Sequence, residues 1–292
     1  MLQYRRSPGE RVADLVLYAI MWMVIAITCY PFVYVASMSI SNPIHAIDQS
    51  VWLWPRGFSL EAYRRVFENP DVLRSYANTL YYTGAGTLIN IALTLTAAYP
   101  LARRSFGMRK PIMMMIVLTM FFSGGLIPNF ILIKELGLYN TPWAILLPTA
   151  ASAFLIIVAR TFLQGIPEEL FESAKMDGAN DLLVLFRIVL PLSKPIVAVL
   201  GLFYAVSHWN SYFPALLYLP DAKLQPLSLY LMKIVVRGSN EMLQGVLDAD
   251  ASMYIVQLKY AMIIVAVVPI LLVYPFMQKH FVKGVMIGSV KE

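Results

Sequence analysis

Two groups of residues have types and spacings that invite chemistry, and neither is a catalytic set. The first is the segment 167–195, PEELFESAKMDGANDLLVLFRIVLPLSKP, where Glu172, Ser173, Ala174, Asp177, Gly178 and Ala179 are followed by Ile188, Leu190 and Pro191. Pro167 suits the first position of a helix, and Glu168 and Glu169 complement the positive end of its dipole. Leu170, Phe171 and Ala174 share one face of that helix, and Glu168, Glu172 and Lys175 the opposite one. Gly178 can take positive φ and end it. Asn180 can then cap a second helix that runs to Leu190 and stops at Pro191. Two short helices meeting at a glycine corner make either an ordinary amphipathic surface loop or a rigid element that docks into a cytosolic partner. Arg187, in the second helix, is either simply solvated or orients the loop.

The second group is uncharged. Asn78, Thr79, Thr83, Asn90, Thr94 and Thr96 stand in one apolar stretch, Ser123 and Asn129 in another, and Ser207, Asn210 and Ser211 in a third. Such groups either hydrogen-bond helices to one another or line a path for a hydroxyl-rich solute. Trp209, Tyr212 and Phe213 flank Asn210, and sugars offer both hydroxyls and apolar faces. The same aromatics also fit an interfacial belt. Asn90, Trp209, Asn210 and Tyr212 are the candidate path residues.

Known catalytic arrangements fail by inspection. None of the 15 glycines precedes a lysine, so a phosphate-binding G-x-x-x-x-G-K-[ST] loop is excluded. The one G-x-x-x-G pair, Gly284 and Gly288, has Met286 at its centre, which excludes a G-x-S-x-G nucleophile elbow. There is no H-E-x-x-H, and His45, His208 and His280 lie far apart. Cys29 is the only cysteine, so neither an internal disulfide nor a cysteine zinc site exists. The chain itself is therefore read as a non-enzyme that holds no metal and no cofactor.

These residues must be positioned by membrane helices. Of 292 residues, 59% are hydrophobic and 14% charged, against about 25% charged in ordinary soluble domains. A bilayer can cover that apolar surface; a soluble core of this size cannot. Six uncharged stretches reach the roughly 20 residues that a span needs. They are 15–47, of which about 15–40 spans, then 75–102, 111–133, 136–159, 195–220 and 260–278. Ser41-Asn42-Pro43 reads as the turn that leaves the first span. That span is too long for a cleaved signal peptide and lacks a small-x-small site.

Between spans, Ser59-Leu60-Glu61 resembles a helix start, with Leu60, Tyr63 and Phe67 at helical spacing. With the N-terminus inside, 14 of the 23 Lys and Arg fall in cytoplasmic segments, which net +6 while the outer segments net zero. The positive-inside rule then places both termini and the 167–191 loop in the cytoplasm. The net charge of +6 has this explanation rather than nucleic-acid binding, for which no basic stripe interleaved with aromatics is present. The fold expected is an all-α polytopic membrane protein, one permease domain over 1–292. No Asp, Glu, Lys or Arg lies within the six stretches. That argues against the rival reading, a secondary transporter or channel for a polar solute, in which intramembrane charges mark ion and proton sites. A membrane scaffold that moves nothing is the third reading, and co-purification with an ATPase would separate the three.

The 167–191 loop resembles the EAA motif of ATP-binding cassette importer permeases: EAA, three residues, Gly, nine residues, then I-x-L-P. Here these are Glu172-Ser173-Ala174, Gly178 and Ile188-x-Leu190-Pro191, with Ser173 for the first Ala and the common D-G-A core at Asp177-Gly178-Ala179. Gly124-Gly125-Leu126-Ile127-Pro128, Leu136-Gly137-Leu138 with Asn140-Thr141, Trp209-Asn210 and the tail from Gln278 to Lys291 are similar to the carbohydrate-uptake branch, especially to permeases for oligosaccharides and fragments of alginate or pectin. The resemblance implies that this loop is the coupling helix, docking into a nucleotide-binding subunit. It implies a second permease, preferably a related heterodimer partner, two nucleotide-binding ATPases that hold ATP and Mg, an extracytoplasmic solute-binding protein, and a place in the bacterial cytoplasmic membrane.

Overall fold

The computed structural model describes residues 8–243 and 249–289. Arg5, Arg6, Asp248 and Lys291, which entered the charge pattern, lie outside the described residues. The elements in chain order are α1 (Pro8–Ser39), α2 (Pro43–Ile47), α3 (Glu61–Glu68), α4 (Pro70–Ala102), α5 (Arg109–Phe121), α6 (Leu126–Glu135), α7 (Trp143–Leu146), α8 (Ala153–Leu163), α9 (Glu168–Met176) and α10 (Asp181–Val184). A π-helical turn (Leu185–Val189) leads into α11 (Leu190–Leu192), α12 (Lys194–Trp209), α13 (Tyr212–Tyr218), α14 (Leu227–Leu243) and α15 (Ala249–Ser289). Among the described residues, extended pairing is limited to one isolated bridge, Ser41 to Phe58.

Among the described residues, three helices are long and apolar enough to cross a membrane: Gly9–Ser39, Pro70–Ala102 and Tyr254–Val273. Two bent pairs raise the number to five if each is one span: Arg109–Phe121 with Leu126–Glu135, at 114°, and Asp181–Leu192 with Lys194–Trp209, at 83°. The expected continuous helices over 111–133, 136–159 and 195–220 are therefore each interrupted. Gly125 adopts φ +82° and opens the first. In the second, α7 and α8 are separated around Pro148, and the 11 residues of α8 rise only about 17 Å. The third ends its first segment at Trp209, and Asn210 Nδ2 donates to the Val206 carbonyl at 3.0 Å, taking up an acceptor at the break. The last expected span, 260–278, lies within α15, which starts at Ala249.

The chain forms two compact units. One contains the described residues up to Asn69 and those of Lys233–Val267. Within it, Asn42 accepts the Ile44 N–H at 3.1 Å and caps α2, with Pro43 in the first turn, as the Ser41-Asn42-Pro43 turn requires. Ser37 Oγ donates to the Leu53 carbonyl at 2.7 Å and Gln257 Nε2 to the Ser41 carbonyl at 2.7 Å, around a core of Met38, Ala46 and Val51. In α3 the buried face is Ala62 and Val66, while Leu60 and Phe67 are exposed. This corrects the expected apolar stripe at Leu60 and Phe67, while Tyr63, its third member, is half-buried with its hydroxyl 2.8 Å from Ser39 Oγ.

The second unit contains Pro70–Met232 and the described residues from Val268. Its axis is α4, which packs against α8 and α12. Ser75, Thr79, Tyr82, Gly86, Asn90, Thr94 and Ala98 are buried along it, a row at nearly constant i+4 spacing that gives close helix approach. The core continues through Leu155 and Ala159 of α8 and Leu200 and Tyr204 of α12 into Phe171, Ala174 and Val189 of the loop.

Candidate functional site

The loop is a capped corner. Pro167 is extended at ψ 136°, and Glu168 and Glu169 open α9. At its end Gly178 takes φ +77°. The Gly178 N–H reaches the Lys175 carbonyl at 3.0 Å and the Ala179 N–H reaches the Ala174 carbonyl at 2.9 Å. That pair of bonds is the Schellman arrangement, which a glycine in the left-handed region permits. Asn180 Oδ1 then accepts the Leu183 N–H at 2.8 Å and caps α10. Lys175 Nζ spans the corner to Asp181 Oδ1 at 3.6 Å.

The second helix does not stop at Pro191. The π turn shifts the backbone register ahead of Pro191, whose missing N–H therefore breaks nothing, and the chain bends at the buried Ser193 instead. Phe171 and Ala174 are buried on the core, whereas Leu170, expected on that face, is exposed. Ala179, Ile188 and Leu190 pack partly against the same core. Glu172, Ser173, Asp177, Gly178 and Pro191 face outward, together with exposed Met176, Leu182 and Phe186.

Arg103, counted in the sequence only as an inner positive charge, reaches this loop. Its Nη2 lies 3.0 Å from Glu168 Oε1 and its guanidinium carbon 3.8 Å from the centre of the Phe171 ring. A cleft of about 250 Å³ opens beside it, with Arg104, Arg109 and Gln164 on its walls.

The candidate path residues divide. Asn90 is fully buried; its Nδ2 donates to the Thr149 carbonyl, which Pro148 leaves outside a regular helix, and its Oδ1 lies 3.0 Å from His208 Nε2. With the amide nitrogen committed to Thr149, Oδ1 has only lone pairs to offer, so His208 Nε2 carries the proton. The His208 ring lies against Gly86, where any Cβ would overlap it. One turn further along α4, Thr94 Oγ1 meets Tyr204 Oη at 2.7 Å, and that Oη accepts the Ser152 N–H at 3.3 Å. Trp209 is buried edge-on to Tyr76, with ring centres 6.0 Å apart. Asn210 and Tyr212 are exposed. Sequence reading missed His208, Gly86 and Tyr204; the one available signal was Gly86 in a largely polar i+4 row.

The profile of the family described as binding-protein-dependent transport system inner membrane component matches residues 9–287. The chain belongs to this family. As an inner membrane component with several apolar helices, it is a multi-pass protein of the bacterial inner membrane. Among its relatives is the polygalacturonan/rhamnogalacturonan transport system permease protein YtcP of Bacillus subtilis, 42% identical over 97% of this chain and 99% of that one. Its fold matches a chain from the crystal structure of a bacterial ABC transporter that imports the acidic polysaccharide alginate, with TM-score 0.89 and 33% identity over 96% of this chain and 100% of the other. A second chain, from a bacterial alginate ABC transporter in complex with an alginate pentasaccharide-bound periplasmic protein, shares the fold at TM-score 0.61 and 21% identity, over 95% of this chain and 99% of that one.

Proposed function

We propose that this inner membrane component is the permease subunit of an ATP-binding cassette importer that moves an oligosaccharide or polysaccharide fragment across the cytoplasmic membrane. One permease domain, 1–292, crosses six times with both termini in the cytoplasm, the interrupted helices counting as spans. The observation that carries the reading is the corner of Glu172–Ala179: a capped turn that buries Ala174 in its own core and leaves Glu172, Asp177 and Met176 outward. Such an element suits docking into another protein's groove. Glu172, Ser173, Ala174, Asp177, Gly178 and Ala179 form the docking turn, Ile188 and Leu190 fix it to the membrane helices, and the outward Pro191 completes the surface offered to the partner. ATP and Mg belong to two partner ATPases; a second, related permease and an extracytoplasmic solute-binding protein complete the importer. Asn210 and Tyr212 reach the solute path directly, with Trp209 and Asn90 behind them. The similarity to permeases named for polygalacturonan and alginate supports an acidic oligosaccharide as cargo.

The test is to purify the chain with its partner subunits and screen galacturonate, alginate and neutral oligosaccharides for stimulation of ATP hydrolysis in the presence of the solute-binding protein. Stimulation by an acidic oligosaccharide is expected. A purified chain that carries solute with no ATPase bound would overturn the importer reading.

A further inference from the structure

A push on α9, a helix of nine residues, has to reach the membrane helices to have any effect. Phe171 packs into the core, but an aromatic ring alone can slide. Arg103 supplies the directional contact. It stands one residue beyond α4, yet its side chain is only 10% exposed, whereas Arg104 next to it is solvated. A basic residue that served topology alone would stay in water, because burying a charge is costly without specific partners. Arg103 has two such partners on α9: the Glu168 carboxylate at 3.0 Å and the face of Phe171 at 3.8 Å. Tyr99, one turn earlier on α4, also contacts Phe171, with ring centres 6.4 Å apart. Arg160 of α8 donates from Nε to the Leu101 carbonyl at 3.0 Å, tying the same end of α4 to the helix that leads into the loop.

We propose that Arg103 is a positioning residue that clamps α9 to the cytoplasmic end of α4, so that the two move as one body. The proposal rests on the coupling role given to α9 above. When the docking partner displaces α9, the ion pair and the ring contact carry the displacement into α4, and through its buried row into α12. Arginine suits the place better than lysine, since one planar group both lies on the ring and reaches the carboxylate.

The experiment measures sugar imported per ATP hydrolysed by the reconstituted complete importer. Arg103→Met keeps a long apolar stem and removes both contacts. It is expected to lower that ratio by about fivefold or more, the scale of a modest coupling free energy, while hydrolysis continues. Glu168→Gln, at a side chain 43% exposed, should give a smaller loss, and Arg103→Lys should recover part of it. A clamp with a merely structural role would lower import and hydrolysis together and leave the ratio unchanged, which would overturn the proposal. Should Arg103→Met fail to assemble, Glu168→Gln decides alone, and a wild-type ratio there overturns it. Gly178→Leu, measured alongside, separates the two readings. If it too keeps the wild-type ratio, the coupling role of α9 fails. If it lowers the ratio while Arg103→Met and Glu168→Gln do not, α9 still couples and the clamp is wrong.

Discussion

The 167–191 loop and the seam between α4 and α12 use polar residues in opposite ways. Along the seam, Asn90, His208, Thr94 and Tyr204 point inward and bond to each other or to carbonyl and amide groups freed at the break around Pro148. In the loop the backbone closes its own bonds at the Gly178 corner, and Glu172, Ser173 and Asp177 point outward. Polar groups consumed inside a chain hold it together, whereas outward groups on a rigid frame are available to another chain. Under the proposed function, Asn90 and Trp209 would support the path, Asn210 and Tyr212 would line it, and the loop would be the surface that a partner reads.

Four substitutions would break or sharpen this contrast, and on the stability of the isolated chain they fall in a definite order. Gly86→Val should be the most damaging. Its side chain would overlap the His208 ring, and overpacking plus loss of the Asn90 contact should destabilise by about 3 kcal/mol, read as a lower midpoint of thermal unfolding in detergent. Asn90→Leu comes next. It leaves the Thr149 carbonyl and His208 without their partner, at about 1–2 kcal/mol, visible in the same melt. A melt unchanged by Asn90→Leu would return that residue to the path itself.

Gly178→Leu should cost the chain about 1 kcal/mol, because φ +77° strains a residue with a side chain. Among the described residues nothing lies within 4 Å of an added Cβ, so any larger loss, measured as ATPase retained on purification, belongs to the partner. Glu172→Ala is expected to change the melt by less than about 0.5 kcal/mol, since the side chain is exposed, while it weakens ATPase retention.

What the sequence made legible follows from the range of the interactions. Gly178 and Asn180 act on their own backbone neighbours, so residue type alone located the corner and the cap of the second helix. Asn42 at α2 is the same case. Pro167, expected as the first helical residue, instead stands one position earlier as the extended N-cap of α9. The interruptions were harder to read. Pro148, the pair Gly124-Gly125 and Asn210-Ser211 sit within apolar stretches of sufficient length, and length cannot reveal that Asn90 will satisfy the Thr149 carbonyl from another helix. The π turn hid the role of Pro191, because a one-residue shift in hydrogen bonding leaves no mark in composition. Arg103 and His208 depend on which helices face each other over 65 and 118 residues of sequence; no local pattern carries that. Leu60, Phe67 and Leu170 were misplaced for a related reason: which face of a short helix is covered depends on the elements packed against it, and here those cover Ala62, Val66, Phe171 and Ala174 instead.

The contrast is tested most directly by measuring two quantities on two variants, Glu172→Arg in the loop and Asn90→Leu in the seam: the thermal midpoint of the isolated chain and the ATPase retained per permease on purification of the complex. Glu172→Arg is expected to lose the ATPase at an unchanged midpoint, while Asn90→Leu lowers the midpoint and, once folded, retains the ATPase. A Glu172→Arg chain that keeps its full complement of ATPase would contradict the assignment of the loop as the partner's docking surface.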